Sequence, residues 1–210
     1  MGHVARCFRV AVFAMFALVL FASCGSRQPI QGQETTGLDR KLSTFAYIED
    51  GDLLTLIVDT KATRYREETA YFPLEIAIAN NGLRQIVLTR ESFTLIDEAG
   101  NRYPAASPKE LIEGYEFLDL DRDQLAELPG IVFNKFAAFQ QYPSMFSPTR
   151  NYSFGRSNIV RDLVSLPKFG YLLDFIYFPA PKDGLLGKRF ELHIDSAQLE
   201  DPVFVKFEVK

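Results

Sequence analysis

Beyond residue 3 the chain has a single histidine, His193, in the run "FELHID". Strand alternation places Glu191, His193 and Asp195 on one face, opposite Phe190, Leu192 and Ile194. One imidazole between two carboxylates could form half a metal site or an acid–base pair. Same-face neighbours on a strand stand about 7 Å apart, whereas ligands must converge to about 2 Å from one ion. The spacing therefore favours a solvated polar strand face.

A second acidic pattern is "DLDRD", which spaces Asp119, Asp121 and Asp123 like the first ligands of a calcium loop. Position six is Gln124 rather than Gly, and position twelve is Gly130 rather than Glu. Asp121 is better placed to cap a short helix running through Leu125 and Leu128, where acidic charge suits the N-terminus. Covalent catalysis has little to draw on: there is no Gly-x-Ser-x-Gly elbow and no Gly-rich phosphate loop. "NYS" at Asn151 to Ser153 fits a glycosylation triplet, a pattern short enough to arise by chance. These residues lead us to expect no enzyme, no cofactor and no metal.

The richest unexplained segment is "FQQYPSMFSPTRNYSFGR", Phe139 to Arg156, with five aromatic residues in eighteen. With Phe136 just upstream, the rings of Phe139, Tyr142, Phe146, Tyr152 and Phe154 are too many for a plain solvated loop. Two readings stand. The rings fold back as extra core, or they form an aromatic surface for a partner protein or hydrophobic ligand. The chain has no Trp, which weighs against sugar stacking.

The elements that would position these rings follow from periodicity. "YFPLEIAIANNGLRQIVL" alternates Phe72, Leu74, Ile76 and Ile78, turns at Asn81-Gly82, and resumes with Ile86 and Leu88. Asn-Gly between alternating runs predicts a β-hairpin. Phe93 and Leu95 alternate before a "DEAGN" turn, and "DLLTLIVDTKATRYR" from Asp52 predicts a long strand. "YLLDFIYFP", "FELHID" and "VFVKFEV" predict three more near the C-terminus. Between them, residues 107 to about 168 carry helical grammar. "SPKE" from Ser107 reads as a capping box with Pro at the first helical position. Val132, Phe136 and Phe139, and then Ile159, Leu163 and Leu166, stand at i, i+4 and i+7. The expected fold is mainly β: an antiparallel β-sandwich carrying a helical insertion of about sixty residues.

The N-terminus supplies an address. Arg6 and Arg9 precede Val10 to Ala22, an uncharged apolar run of thirteen residues, which matches a secretory leader. At 1.5 Å per residue the run spans about 20 Å, too short for a hydrocarbon core of about 30 Å. "FASC", Phe21 to Cys24, resembles the lipobox of bacterial lipoproteins, with Phe21 in place of the usual Leu. That resemblance implies that Cys24 receives a diacylglyceryl group and becomes the new N-terminus after cleavage. Cys7 would leave with the leader, so no second thiol would remain to form a disulfide. The polar run Gly25 to Leu42 reads as a tether.

The organisation expected is a leader at 1–23, a tether at 24–42 and a folded body at 43–210. The formal charge of −4 becomes −4 − 2 = −6 without Arg6 and Arg9, which gives no reason to expect nucleic acid. "YFPLEIAIANNG", "LTRESFTLIDEAGNRYP" and "GYLLDFIYFPAP" together resemble the small immunoglobulin-like domains of many bacterial lipoproteins. That likeness covers Leu53 to Ala105 and Gly170 to Lys210, rests on structural motifs, and brings no activity with it. Anchor, tether and insertion together lead us to expect a lipid-anchored, non-enzymatic binding or assembly module of the cell envelope, held to a membrane by the lipid on Cys24 and meeting an envelope protein through the helical insertion. The second reading is a carrier with an apolar pocket between insertion and sandwich, and the third a hydrolase or metal protein built on Glu191, His193 and Asp195. Gly25 and Ser26 lack the Asp that favours inner-membrane retention in lipoproteins, so a two-membrane organism would place it on the outer membrane facing the periplasm.

Overall fold

The computed structural model describes residues 42–144, 146–148 and 163–210. In chain order the described residues form β1 (Ala46–Asp50), β2 (Leu54–Asp59), α1 (Lys61–Arg64), β3 (Tyr71–Asn80), β4 (Gln85–Thr89), β5 (Phe93–Asp97) and β6 (Arg102–Pro104). Three helices follow, α2 (Pro108–Gly114), α3 (Leu118–Gln124) and α4 (Leu128–Lys135). The chain ends with β7 (Gln140–Gln141), β8 (Leu163–Pro167), β9 (Gly170–Pro179), β10 (Arg189–Ile194) and β11 (Val203–Glu208). The protein is mainly β, and its sheets are not closed into a barrel. One sheet runs β1-β2-β3-β9-β7, a second β11-β10-β5-β6, and β4 pairs with β8 in a third.

The alternation on β3 explains how the layers form. Phe72, Leu74, Ile76 and Ile78 project to one side, where they share a core with Leu95 of β5, Phe190 and Leu192 of β10, Phe207 of β11, and Ile86 and Leu166 of the β4–β8 pair. The opposite face of the same sheet is lined by small side chains, Ala46, Ala77 and Ala79, and Leu128, Val132 and Phe136 of α4 pack against them. Farther along that face, Leu111, Tyr115 and Leu118 cover Phe175 and Tyr177. Bulk on one side and alanine on the other lets β3 be buried by a sheet on one face and by helices on the other, as a central strand must be to lose both faces to the core.

The "SPKE" capping box forms as expected. The Ser107 hydroxyl accepts the Glu110 N–H at 3.3 Å, and Glu110 Oε2 accepts the Ser107 N–H at 2.7 Å, with Pro108 opening α2. "DEAGN" turns β5 into β6: Asp97 accepts the N–H groups of Ala99 and Asn101, and Gly100 takes φ +83°.

Three expectations are corrected. Asn81-Gly82 does not close a hairpin, because β3 pairs with β2 and β9 while β4 crosses to pair with β8. Gly82 is needed for space: a Cβ there would lie 2.7 Å from Asp52 O, and both Asn81 and Gly82 donate their N–H groups to Leu53 O. The second helical face fails as well. Ile159 lies outside the described residues, and Leu163 and Leu166 belong to β8, where Val164 and Leu166 are buried and Leu163 is exposed in the period of a strand. The run from Asp52 is a shorter strand than expected, since the chain turns into α1 at Lys61, and β1, which carries Tyr47 into the core, precedes it. Within the described residues the helical part of the insertion ends at Lys135.

Candidate functional site

The aromatic segment splits between core and surface. Phe146 is fully buried and meets Phe93 edge-on at 5.2 Å. It is held there because its segment lies along the free edge of β9. Tyr142 N–H donates to Tyr171 O at 2.7 Å, Ser144 Oγ to Leu173 O at 2.9 Å, and Ser147 Oγ to Phe175 O at 2.9 Å. The Phe146 N–H itself goes to Asp174 Oδ2 at 2.8 Å. Side-chain hydroxyls thus satisfy carbonyls that a strand broken by Pro143 and Pro148 cannot reach through a regular ladder.

Phe136, at the end of α4, is also buried, between Tyr171 at 5.3 Å and Phe139 at 5.4 Å. Burial puts Phe136 and Phe146 with the first of the two readings, extra core, and takes them out of the candidate surface. Phe139 and Tyr142 are half-buried, and Tyr152 and Phe154 lie outside the described residues.

Phe139 leads outward to a residue that sequence reading passed over. Its ring meets that of Phe169 edge-on at 5.6 Å, and Phe169 is 53% exposed. Phe169 has φ +62°, the only non-glycine among the described residues on that side of the map. For a bulky residue this is an outlier costing about 1–2 kcal/mol. Two backbone bonds hold it: the Phe169 N–H donates to Asn80 O at 2.8 Å, and Phe169 O accepts the Gln140 N–H at 2.9 Å. Gly170 cannot be exchanged with it, because a Cβ at 170 would lie 3.0 Å from both Pro167 O and Tyr142 Cε2. The glycine is used for space, so the left-handed conformation falls on the phenylalanine. Residues held this way cluster at binding sites. Lys168 Nζ stands 5.1 Å from the Phe169 ring centroid, and α4 carries another exposed ring, Phe133. The signal in the sequence was an aromatic residue between Lys168 and Gly170 in a strand-to-strand turn, a position where a ring has no periodic reason to be.

The acidic candidates are brought into other arrangements. His193 Nε2 lies 2.8 Å from Glu191 Oε2, Lys206 Nζ lies 3.0 Å from Glu191 Oε1, and the His193 ring stacks on Phe204 at 4.8 Å. Partial burial pushes the Glu191 carboxyl up, but bonds from His193 and Lys206 outweigh it and hold the group below its ordinary range. Asp195 follows the end of β10, and its N–H is bonded to Ser92 O at 2.9 Å. No cluster of three or more His, Cys, Asp or Glu that could hold a metal occurs among the described residues.

Asp119, Asp121 and Asp123 stand on α3, where successive odd positions turn about 200° apart and cannot converge on an ion. Asp121 does not cap a helix through Leu125 and Leu128, since α3 begins at Leu118. Its carboxylate points inward to the Arg66 guanidinium at 2.8 Å, the Tyr115 hydroxyl, and the Tyr177 hydroxyl at 3.3 Å. Burial raises its pKa against the opposing pull of those partners. The junction where a carrier would need its pocket holds this polar cluster and the buried side chains of α2, α3 and α4.

No family model matches the chain, and no curated protein matches it. Among solved structures it is similar to a candidate lipoprotein, ycdA, of Bacillus subtilis subsp. subtilis str. 168, at 12% identity and a TM-score of 0.40. That match covers 77% of this chain and 38% of the other. No helix among the described residues is long and apolar enough to cross a membrane.

Proposed function

We propose that this chain is a lipid-anchored, non-enzymatic binding or assembly module of the bacterial cell envelope, built on an immunoglobulin-like sandwich. The address is supported by the leader and by "FASC" ending at Cys24. The sandwich is supported by strand order: β2-β3-β9 and β11-β10-β5-β6 follow the A-B-E and G-F-C-C′ order of that fold, whereas β7, in the place of D, is two residues long and pairs parallel with β9. β1, the β4–β8 pair and the helices are additions to it.

The observation that carries the binding reading is the Phe169 ring, half out in solvent on a backbone held in an unfavourable conformation. Its place in the sheet suggests a protein partner. The chain arriving from Cys24 enters β1 at Ala46, in register with Asp59 and through it with Glu75, whereas Phe169 is bonded to Asn80 at the far end of β3. Five residues of strand, roughly 17 Å, separate the two levels. The ring thus stands at the end of the sheet away from the start of β1 and is assigned to a protein partner, while the lipid on Cys24 is assigned to the membrane.

Two measurements test this. Labelled palmitate is expected in the wild-type protein in bacterial cells and not in Cys24→Ser; labelling of the variant would remove the anchor. In cross-linking from intact envelopes, Phe169→Ala is expected to reduce recovery of the wild-type partner at least tenfold, the yield lost with about 1.4 kcal/mol at a hot spot. An unchanged set of partners at unchanged yield would sink the surface.

A further inference from the structure

The helix layer is fastened to the sheet at one point by an acid. Glu75 lies on the face of β3 that carries Ala77 and Ala79, beneath the start of α4. Its Oε2 accepts the N–H of Glu127 at 2.7 Å and of Leu128 at 3.0 Å, groups that α4 cannot satisfy within itself. The Glu127 side chain does not cap the helix, so a carboxyl from a neighbouring strand takes that role.

Asp59 stands directly opposite Glu75 in the β2–β3 register, and both residues are buried. Asp59 Oδ1 accepts the Lys61 N–H at 2.8 Å. The other charged groups facing the pair are the Glu127 carboxylate from the start of α4 and the Lys61 ammonium from α1, which bind each other. Phe175, opposite Glu75 on β9, brings no charge. Two buried carboxyls therefore sit side by side near a third, and the one cation at hand is already engaged. Burial first, and mutual repulsion after it, disfavour charging both. Burial, with the Asp59 and Glu127 charges after it, pushes the Glu75 carboxyl up to about 7 against its two N–H bonds, and burial with the Glu127 charge raises that of Asp59 against its bond from Lys61 N–H.

We propose that the Asp59–Glu75 pair is a proton-operated latch that holds α4 on the five-stranded sheet. One proton on the pair relieves the repulsion and still leaves Glu75 Oε2 to accept both N–H groups. With α4 go Val132 and Phe136, which pack on Ile57, Ala77 and Ala79 and support Phe139 at the aromatic corner. The sign follows from a raised acid. The latch holds fully below the ordinary carboxyl value near 4.5, weakens as the pH rises to about 7, and is level above that. Across this interval the opening equilibrium of α4 rises by up to about tenfold per pH unit.

Hydrogen exchange of the full chain between pH 4.5 and 7, corrected for the intrinsic pH dependence of the amides, reads this directly. Protection of α4 peptides is expected to fall by up to about tenfold per unit in the wild type while β10 peptides stay level. Glu75→Gln, which keeps an acceptor oxygen and cannot charge, should give a flat α4 profile near the wild-type value at low pH. Asp59→Asn, which removes the repulsion but leaves Glu75 buried, should shorten the pH interval over which α4 protection falls, and serves if Glu75→Gln does not fold. The latch is overturned by a wild-type α4 profile that does not change with pH, by a Glu75→Gln profile that falls like wild type, by an Asp59→Asn profile that falls over the full wild-type interval, or by β10 protection falling in parallel.

Discussion

Asp121→Ala is expected to destabilise the protein by about 3–5 kcal/mol, the usual cost of removing one partner from a buried ion pair. The Asp121 side chain is fully buried and that of Arg66 is 11% exposed, so solvent does little to screen the pair. Removing the carboxylate strands the guanidinium with one backbone carbonyl, Tyr65 O at 3.1 Å, and the Phe117 ring, 4.2 Å away. It also leaves the hydroxyls of Tyr115 and Tyr177 without their acceptor. The unsatisfied hydroxyls are part of that cost, each at the lower end of about 1–3 kcal/mol. The cluster joins the end of α1, the end of α2, α3 and β9, so the loss should reach the whole helix layer. Chemical denaturation measures it through the shift in midpoint at unchanged slope. Asp123, exposed on the same helix, is the control, and its alanine variant should stay within about 0.5 kcal/mol of wild type. If Asp121→Ala unfolds at the same denaturant concentration as Asp123→Ala, the cluster does not hold the layer. The double variant Arg66→Ala with Asp121→Ala should cost clearly less than the sum of the singles, because the second change removes the charge stranded by the first.

Phe146→Ala should be comparably severe, about 3–5 kcal/mol, as for a phenylalanine removed from a packed core. The ring lies in the core shared by both sheets and meets Phe93 edge-on. It also anchors the segment whose serine hydroxyls cover the edge of β9, so the cavity and the loosened edge act together. Thermal unfolding of Phe146→Ala beside Phe169→Ala separates the two fates of the aromatic residues. The first should lose stability heavily, and the second should lose binding while its melting temperature changes little. Equal melting temperatures in the two variants would mean that Phe146 is not core.

Period-2 alternation in "YFPLEIAIAN", "FELHI" and "VFVKF" was enough to place strands and choose their inward faces, because which side of a strand is apolar is decided residue by residue. The capping box at Ser107 and the acidic turn at Asp97 were legible for the same reason: each closes on itself within four residues. The pairing of β3 was not. Asn81-Gly82 carries the signal of a tight turn, but close approach to Leu53 and Asp52 sends the chain away to pair with β8, and a contact spanning some thirty residues leaves no local trace. Leu163 and Leu166 are spaced for one helix face, yet pairing with β4 makes them a strand and puts them on its opposite faces.

At the site, composition alone marked Phe139 to Arg156 as too aromatic for a solvated loop. It could not sort the rings, since Phe146 and Phe169 differ in burial through what lies opposite each in space. The sequence by itself determined the alternating core and, through "FASC" at Cys24, the expectation of an anchored chain. Only the tertiary structure decided that Asp121 is an internal ion-pair partner, that Glu75 sits against Asp59 under α4, and that Phe169 is left exposed. Charge and exposure depend on distances between residues far apart in the chain, and folding sets those distances.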